Sequence, residues 1–420
     1  MRWTAAIGFV LVFCLGAVTG AQALEESTVF DTIKTRIAQD AACDGSEEPF
    51  WHRQSITNPD DGYRVRYSRF GCTVGANGAI VISPGRTESS VEYYETALDF
   101  IALGYGPVYA VDHRGQGLSP RLLPDLSKGH VEAFEDYVAD FAIVVDAVRA
   151  ELAELNSGRE PPLFFISNSM GGAIGLGYFQ AAGTDNPFTA AALSGPMIRV
   201  NYISFVDRPL SWLNLGIYSE FGALVQANWR CSIVWLWDGT RCNDYASPAT
   251  FGAYRADTRE FLPDTERIMT HSRARYDLRT YLWDGIDWPA ITRGEYTSDE
   301  LWVGPHLGGS TNGWVQATAR FNRDMRKAKN LKKAQVMPIM NLMGTRDLRG
   351  YRPYRSGSGR KPDLSHAKGL CDDLNAISAR EGRYICEFVA LEGGFHELLK
   401  ESDPYRDKAM ATVHWFFQQH

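Results

Sequence analysis

The sequence predicts an α/β chain: a mostly parallel sheet with helices on both faces, interrupted by one inserted cap. Two observations carry this. Short apolar runs alternate with helical patterns early and late in the chain, and the alternation stops from about Pro196 to Asn330. In that gap the chain turns irregular and aromatic. It holds Trp212, Trp229, Trp235, Trp237, Trp283, Trp288, Trp302 and Trp314, most of the 11 tryptophans. A single domain split by an insertion accounts for both.

Residues 1–23 stand outside the fold. Met1-Arg2 is charged, Ala5 to Val18 is apolar, and Ala21-Gln22-Ala23 places small residues at the spacing of a signal-peptidase site. Cleavage is expected near Ala23, with the mature chain exported, periplasmic or secreted. The apolar run is short for a membrane span. Retention as an anchor is the alternative.

Residues 24 to about 60 read as a leader arm, ending in the turn signal Asn58-Pro-Asp-Asp-Gly62. Tyr63 to Phe70 alternates large and charged residues, as an outer strand should. Ala79 to Ser83 is a compact strand running into Pro84-Gly85. A helix is expected near Ser90 to Leu103 and a strand at Val108 to Val111. Ala133 to Leu155 is a long amphipathic helix, with Phe134, Tyr137, Val138, Phe141 and Val145 at helical spacing. Strands follow at Leu163 to Ile166 and Phe188 to Leu193. The core's first part is therefore 24–195 and the cap 196–330. The second part, 331–420, has a strand at Val336 to Met343, a helix near Asp363 to Ala379, a strand at Ile385 to Leu391 and a helix from Glu397 to Gln419.

The chain has 420 residues and 45% apolar content, enough for a large core. Its net charge of −7, with no basic run, speaks against nucleic acid. Of 7 cysteines, Cys14 leaves with the leader. An even number remains, which suggests disulfides in an exported chain. Sequence does not fix the pairing; local bonds Cys43–Cys72, Cys231–Cys242 and Cys371–Cys386 are expected. No CxxC or Cys/His cluster is present, so neither metal nor cofactor is expected.

The chemistry is clearest at Leu163-Phe-Phe-Ile-Ser-Asn-Ser169-Met-Gly-Gly172. An apolar strand ends abruptly, small residues crowd a turn, and a helix follows from Ala173. This is the layout of a nucleophile elbow, G-x-S-x-G, with Ser167 in place of the first glycine. Ser169 is the candidate nucleophile. Ser167 is not, because Phe165 and Ser169 would flank it.

A serine hydroxyl needs a base, and the base an orienting acid. In a parallel-sheet hydrolase both sit at the ends of later strands, in the order Ser, Asp, His. The strand to Met343 ends in Gly344-Thr-Arg-Asp347, and the strand to Leu391 ends in Glu392-Gly-Gly-Phe-His396. Asp347 and His396 are the candidate acid and base. His366, His414 and His420 lie within or beyond predicted helices. Asp363, Asp372 and Asp373 belong to a helix start and its exposed face. The amides of Met170, directly after the nucleophile, and Arg86, in the loop after Ala79–Ser83, are the candidate oxyanion donors.

These residues resemble those of the bacterial lysophospholipase and monoacylglycerol-lipase-like serine hydrolases of the α/β-hydrolase fold. The resemblance is strongest to inner-membrane-associated lysophospholipases of Gram-negative bacteria. It is carried by Ser83-Pro-Gly-Arg-Thr-Glu-Ser89, Asp112-His-Arg-Gly-Gln-Gly117, Gly129-His-Val131 with Asp136-Tyr-Val138, Ser169-Met-Gly-Gly-Ala-Ile174, Thr270-His-Ser-Arg-Ala-Arg-Tyr276 and Gly393-Gly-Phe-His-Glu397. It implies hydrolysis of a single acyl ester on an amphiphile, with nucleophile, acid and base on Ser169, Asp347 and His396. The oxyanion amides would fall on Arg86 and Met170. The family usually has Gly-His or Ala-His before the serine, where this chain has Ser167-Asn168. Many relatives open the oxyanion loop with His-Gly, here Pro84-Gly85. The turn at His113 is structural in the family, and His130 is read the same way. His271 is read as a satisfied cap histidine rather than a pocket wall.

Most cap tryptophans are expected to pack the cap. A few are expected to form an acyl-chain wall, with peripheral contact to a lipid interface as their other use. His306 to Gly313, rich in glycine, reads as a mobile mouth loop. The expected function is a carboxylic-ester hydrolase acting on monoacyl lipids. Two alternatives stand beside it: a small-ester hydrolase or peptidase with the same triad, and a non-catalytic exported binding protein on a hydrolase scaffold. Ser167 in place of glycine is the sole support for the last.

Overall fold

The central strands are continuous apolar runs because helices cover both of their faces. The computed structural model describes residues 26–39, 50–123, 129–199, 270–272, 274–275, 307, 310–335, 337–347, 364–379 and 382–420. The expected leader 1–23, Cys43, Cys231, Cys242 and all the cap tryptophans but Trp314 lie outside the described residues.

One sheet runs in the order β1 (Trp51–Thr57), β2 (Arg64–Phe70), β4 (Val108–Asp112), β3 (Ala79–Ser83), β5 (Leu163–Asn168), β6 (Ala190–Ser194), β7 (Ile339–Gly344) and β8 (Cys386–Leu391). β2 pairs antiparallel with both β1 and β4, and every later pairing is parallel. Among the described residues the longer helices are α1 (Glu26–Gln39), α2 (Tyr94–Ala102), α3 (Glu135–Leu155), α4 (Met170–Ala182), α5 (Asn312–Met325), α6 (Ser365–Ser378) and α7 (Asp403–Gln418).

Period-two alternation along β5 feeds two cores. Phe164 and Ile166 join Ile80, Ile82, Phe100 and Phe417 on the face covered by α1, α2 and α7. Phe165 joins Val81, Phe141, Phe179 and Phe321 on the face covered by α3, α4, α5 and α6. Ring contacts knit each layer: Phe164 stacks on Phe417 at 4.5 Å, and Phe141 meets Phe165 edge-on at 5.6 Å.

The structure differs from the sequence reading in three places. The leader arm contains α1 and the edge strand β1. Trp51–Thr57 carries no clean alternation because an edge strand is half solvated; its register with β2, Trp51 opposite Phe70, places it. β2 is not outermost, and its charged residues Arg66 and Arg69 are buried rather than solvated: Arg69 Nη1 donates to Glu151 Oε1 at 2.7 Å. The stretch 312–325, placed in the insertion by its aromatic neighbours, forms α5. Trp314, Ala317 and Phe321 bury one face on the core at helical spacing, and Phe321 stacks on Phe134 at 4.5 Å.

A disulfide joins Cys371 on α6 to Cys386 on β8, as expected. Cys72 is also disulfide-bonded; its expected partner, Cys43, lies outside the described residues. Among the described residues no helix is long and apolar enough to cross a membrane.

Candidate active site

Ser169 sits between β5 and α4 at φ 48° and ψ −113°. A non-glycine residue holds such backbone only when its surroundings over-determine it. Here the Ser169 N–H donates to Ser194 O at 2.9 Å, and Ser169 O accepts from Gly172 N at 3.0 Å and Met197 N at 2.8 Å. Small residues are required because the helix starts against β3: a Cβ on Gly171 would collide with Ser83 O. That contact also lays the loop after β3 along the first turn of α4. Ser167 fits the first small position. Its hydroxyl is buried without a hydrogen-bond partner among the described residues, and a Cβ on Gly172 would lie 3.2 Å from it.

Asp347 and His396 follow β7 and β8. Their two loops are bonded together, Arg346 N to Gly394 O at 2.9 Å and Gly393 N to Thr345 Oγ1 at 2.8 Å. His396 Nδ1 lies 2.7 Å from Asp347 Oδ2, and both side chains are buried. Gly195, at φ 50°, backs this pair: an added Cβ would lie 3.1 Å from His396 Nδ1 and 3.2 Å from Asp347 Oδ2. Its neighbour Ser194 supplies the carbonyl that accepts from Ser169. Ser169 thus bonds to Ser194, and the Asp347–His396 pair lies against its neighbour Gly195.

Met170 opens α4 and is buried. Arg86 lies in the loop after β3, with its guanidinium 5.2 Å over the Trp314 ring; burial lowers its pKa to about 10, which leaves it cationic near neutral pH. The loop is clamped from two sides. The Gly85 N–H donates to the Glu88 carboxylate. Gln116 Nε2 donates to Gly85 O at 2.8 Å and Glu88 O at 3.2 Å, while Thr87 N donates to Gln116 Oε1 at 3.4 Å.

Glu88 is a buried tie beside the candidate site that sequence reasoning passed over. Its carboxylate also accepts from Asn168 Nδ2 at 2.7 Å, Tyr93 OH at 2.7 Å and Lys400 Nζ at 2.9 Å. Burial alone would raise its pKa, but the Lys400 ammonium and these donors outweigh burial and hold the carboxyl well below its ordinary range. It ties the loop after β3 to the residue before Ser169 and to the segment after His396. Glu88 lies inside a segment that carries the family resemblance, but its partner is 312 residues away.

Glu401 plays a parallel part. It is fully buried and accepts from Phe395 N and from His271 N, at 2.8 and 2.7 Å. His271 Nδ1 lies 3.0 Å from the same carboxylate, and its ring stacks on Tyr405 at 4.8 Å. Arg275 forks onto Glu95 with two 2.8 Å bonds. Residues 270–272 and 274–275 are thus docked on the core beside the His396 loop, and His271 is satisfied there. Its sequence neighbours elsewhere in the insertion lie outside the described residues.

His113 and His130 are buried in the fold. His113 Nε2 lies 2.9 Å from Ser83 Oγ, and burial drops its pKa to about 3, so it stays neutral. His130 Nδ1 lies 2.7 Å from Thr311 Oγ1, the N-cap of α5. Ser310 bridges to Gly129 and Thr311 N donates to Gly129 O at 2.9 Å, so the end of the expected mouth loop is tied down. Among the described residues no cluster of His, Cys, Asp or Glu is arranged to hold a metal.

Comparison with known proteins bears on the fold and on the sequence relatives. The family described as serine aminopeptidase S33 matches residues 75–230. Lysophospholipase L2 of Escherichia coli (strain K12) is 29% identical over 391 residues, covering 88% of this chain and 89% of the relative. Monoacylglycerol lipase of Mycolicibacterium smegmatis is 29% identical over 33% of this chain and 45% of its own. The crystal structure of a soluble variant of monoglyceride lipase from Saccharomyces cerevisiae superposes with a TM-score of 0.54 at 16% identity, covering 90% of this chain and 98% of that one. At that identity the superposition speaks to the fold alone. The chain has the α/β-hydrolase fold, and in sequence it is similar to lysophospholipase L2 and to a monoacylglycerol lipase.

Proposed function

We propose that the protein hydrolyses the single acyl ester of monoacyl amphiphiles, lysophospholipids or monoacylglycerols, through a Ser-His-Asp acyl-enzyme. The supporting observation is the 2.7 Å Asp347–His396 pair beside a strained Ser169 at one rim of the sheet. Asp347 accepts from Nδ1–H of His396 and leaves Nε2 as the base. Nε2 takes the Ser169 proton as Oγ attacks the ester carbonyl. The tetrahedral oxyanion is met by the Met170 and Arg86 amides. Nε2–H then protonates the leaving alcohol. A water molecule, deprotonated by the same nitrogen, attacks the acyl-serine, and Nε2–H returns the proton to Ser169 Oγ as the fatty acid leaves. The printed activities of the sequence relatives support the monoacyl substrate class.

Ser169→Ala should abolish ester turnover and covalent labelling by a fluorophosphonate, while the folded protein persists. Labelling that survives in this variant refutes the nucleophile. A chain-length series on monoacyl substrates then tests the lipid claim, and preference for acetyl esters would remove it.

The name of the matching family favours one second reading, release of N-terminal residues from peptides. The same triad serves an amide. Aminoacyl-amide substrates turned over faster than lysophospholipids would establish it.

We also infer export. The signal-like residues 1–23 and the Cys371–Cys386 disulfide support it, since such bonds persist in oxidising compartments. N-terminal sequencing of the native protein should begin at Leu24; a mature chain starting at Met1 counts against it.

A further inference from the structure

The peptide group between Gly85 and Arg86 is one rigid plane, so its carbonyl and its N–H point in opposite directions. The Gly85 carbonyl is held from behind. Gln116 Nε2 donates to it at 2.8 Å and to Glu88 O at 3.2 Å, while Gln116 Oε1 accepts from Thr87 N at 3.4 Å. One side-chain amide thus spends its donors and its acceptor on the backbone of a single loop. Gln116 is 1% exposed.

Gln116 is itself held rigidly. Its N–H donates to His113 O at 3.0 Å and its carbonyl accepts from Ser119 N at 3.1 Å. Just before it in the chain, Arg114 forks onto Asp140 with two 2.7 Å bonds, and the Asp112 carboxylate accepts from Ser90 N at 2.8 Å and Ser90 Oγ at 2.6 Å. The turn after β4 is therefore a fixed platform that presents one amide to the loop after β3. On the far side of that loop, the Gly85 N–H is fixed by Glu88.

We propose that Gln116 is a positioning residue: by holding the Gly85 carbonyl it aims the Arg86 N–H at the oxyanion. This rests on the reading of the Arg86 amide as an oxyanion donor given above. A donor aimed wrongly by a fraction of an ångström leaves substrate binding intact and weakens only the charge-developing step. The signature is therefore a loss in kcat with KM spared.

Two variants test this in the full-length protein. Gln116→Met keeps the volume and removes both donor and acceptor. Gln116→Glu keeps the shape and the acceptor for Thr87 and turns the donor into an acceptor facing two carbonyls. Each should lower kcat about 100-fold on a monoacyl ester and leave KM within about threefold. Affinity for a long-chain trifluoromethyl ketone, which binds as an oxyanion, should fall by a similar factor. Inhibition by an ether-linked analogue without a carbonyl should not change. A folded variant of either kind that keeps kcat within threefold overturns the proposal. So does equal loss of affinity for the ether analogue, which marks general damage to the pocket. If Ser169→Ala retains turnover, the parent reading fails. If Ser169→Ala is inactive and the Gln116 variants are not, only the positioning role fails.

Discussion

His396 Nδ1 lies 2.7 Å from Asp347 Oδ2, and Gly195 fills the space directly behind them. The pair is buried, so the carboxylate has little water to turn to and the imidazole has one orientation. Asp347→Asn keeps the shape and offers an amide where the ring needs an acceptor. His396 would then settle in the wrong tautomer, and kcat for ester hydrolysis should fall by about 10⁴-fold. The unfolding midpoint should move little. A loss under tenfold in kcat would remove Asp347 from the acid's role.

Gly195 supplies a second test of the same geometry. Its φ of 50° strains any side chain, and a Cβ would sit 3.1 Å from the imidazole and 3.2 Å from the carboxylate. Gly195→Ala should push the ring by a few tenths of an ångström. The expected loss in kcat is about tenfold, with KM nearly unchanged. Steady-state kinetics on one ester decide it; a rise in KM with kcat intact would mean that Gly195 borders the substrate instead.

How far the sequence was legible follows from how local each signal is. The strand-end positions of Ser169, Asp347 and His396 were readable because an apolar strand visibly stops before each, and strand ends are visible in one dimension. The alternation of β3, β4 and β5 with helices was readable for the same reason. β1 was missed because an edge strand with one wet face need not alternate. α5 was missed because the aromatic stretch around it masked the spacing of Trp314, Ala317 and Phe321. The polar scaffolding of the site was invisible: Glu88 meets Lys400 and Gln116 meets Gly85 only after the sheet has folded, and nothing in a linear pattern joins them.

His113 tests the electrostatics of that scaffolding. Its pKa falls from 6.5 to about 3 because burial disfavours the imidazolium. The unfolded chain therefore takes up a proton that the folded chain refuses. Its contribution to stability is whole above pH 6.5 and is lost as the pH falls toward 3, by about 1.4 kcal/mol per pH unit. His113→Asn removes the hydrogen bond to Ser83 but also this acid penalty. Its destabilisation should shrink by about 2 kcal/mol between pH 7.5 and pH 5, measured by chemical denaturation. In the wild-type protein the His113 ring resonances should not titrate across that range. A midpoint near 6.5 would mean the ring is solvated.

Lys400 carries the last prediction. Glu88 is buried and held below its ordinary pKa of 4.5 mainly against the pull of burial, by the ammonium 2.9 Å away. A depressed carboxyl contributes stability that is present above its unfolded pKa and lost as the pH falls through the folded one. Lys400→Met removes the compensating charge and leaves burial dominant, so the Glu88 pKa rises above 4.5 and the sign reverses. At pH 7.5 the variant must either bury a bare carboxylate or take up a proton, and should be about 3 to 5 kcal/mol less stable than wild type. At pH 4.5, where the carboxyl is readily protonated, the deficit should be clearly smaller. Denaturation curves at the two pH values give the comparison. Equal deficits at both would show that Lys400 acts through packing of its alkyl stem and not through the charge on Glu88.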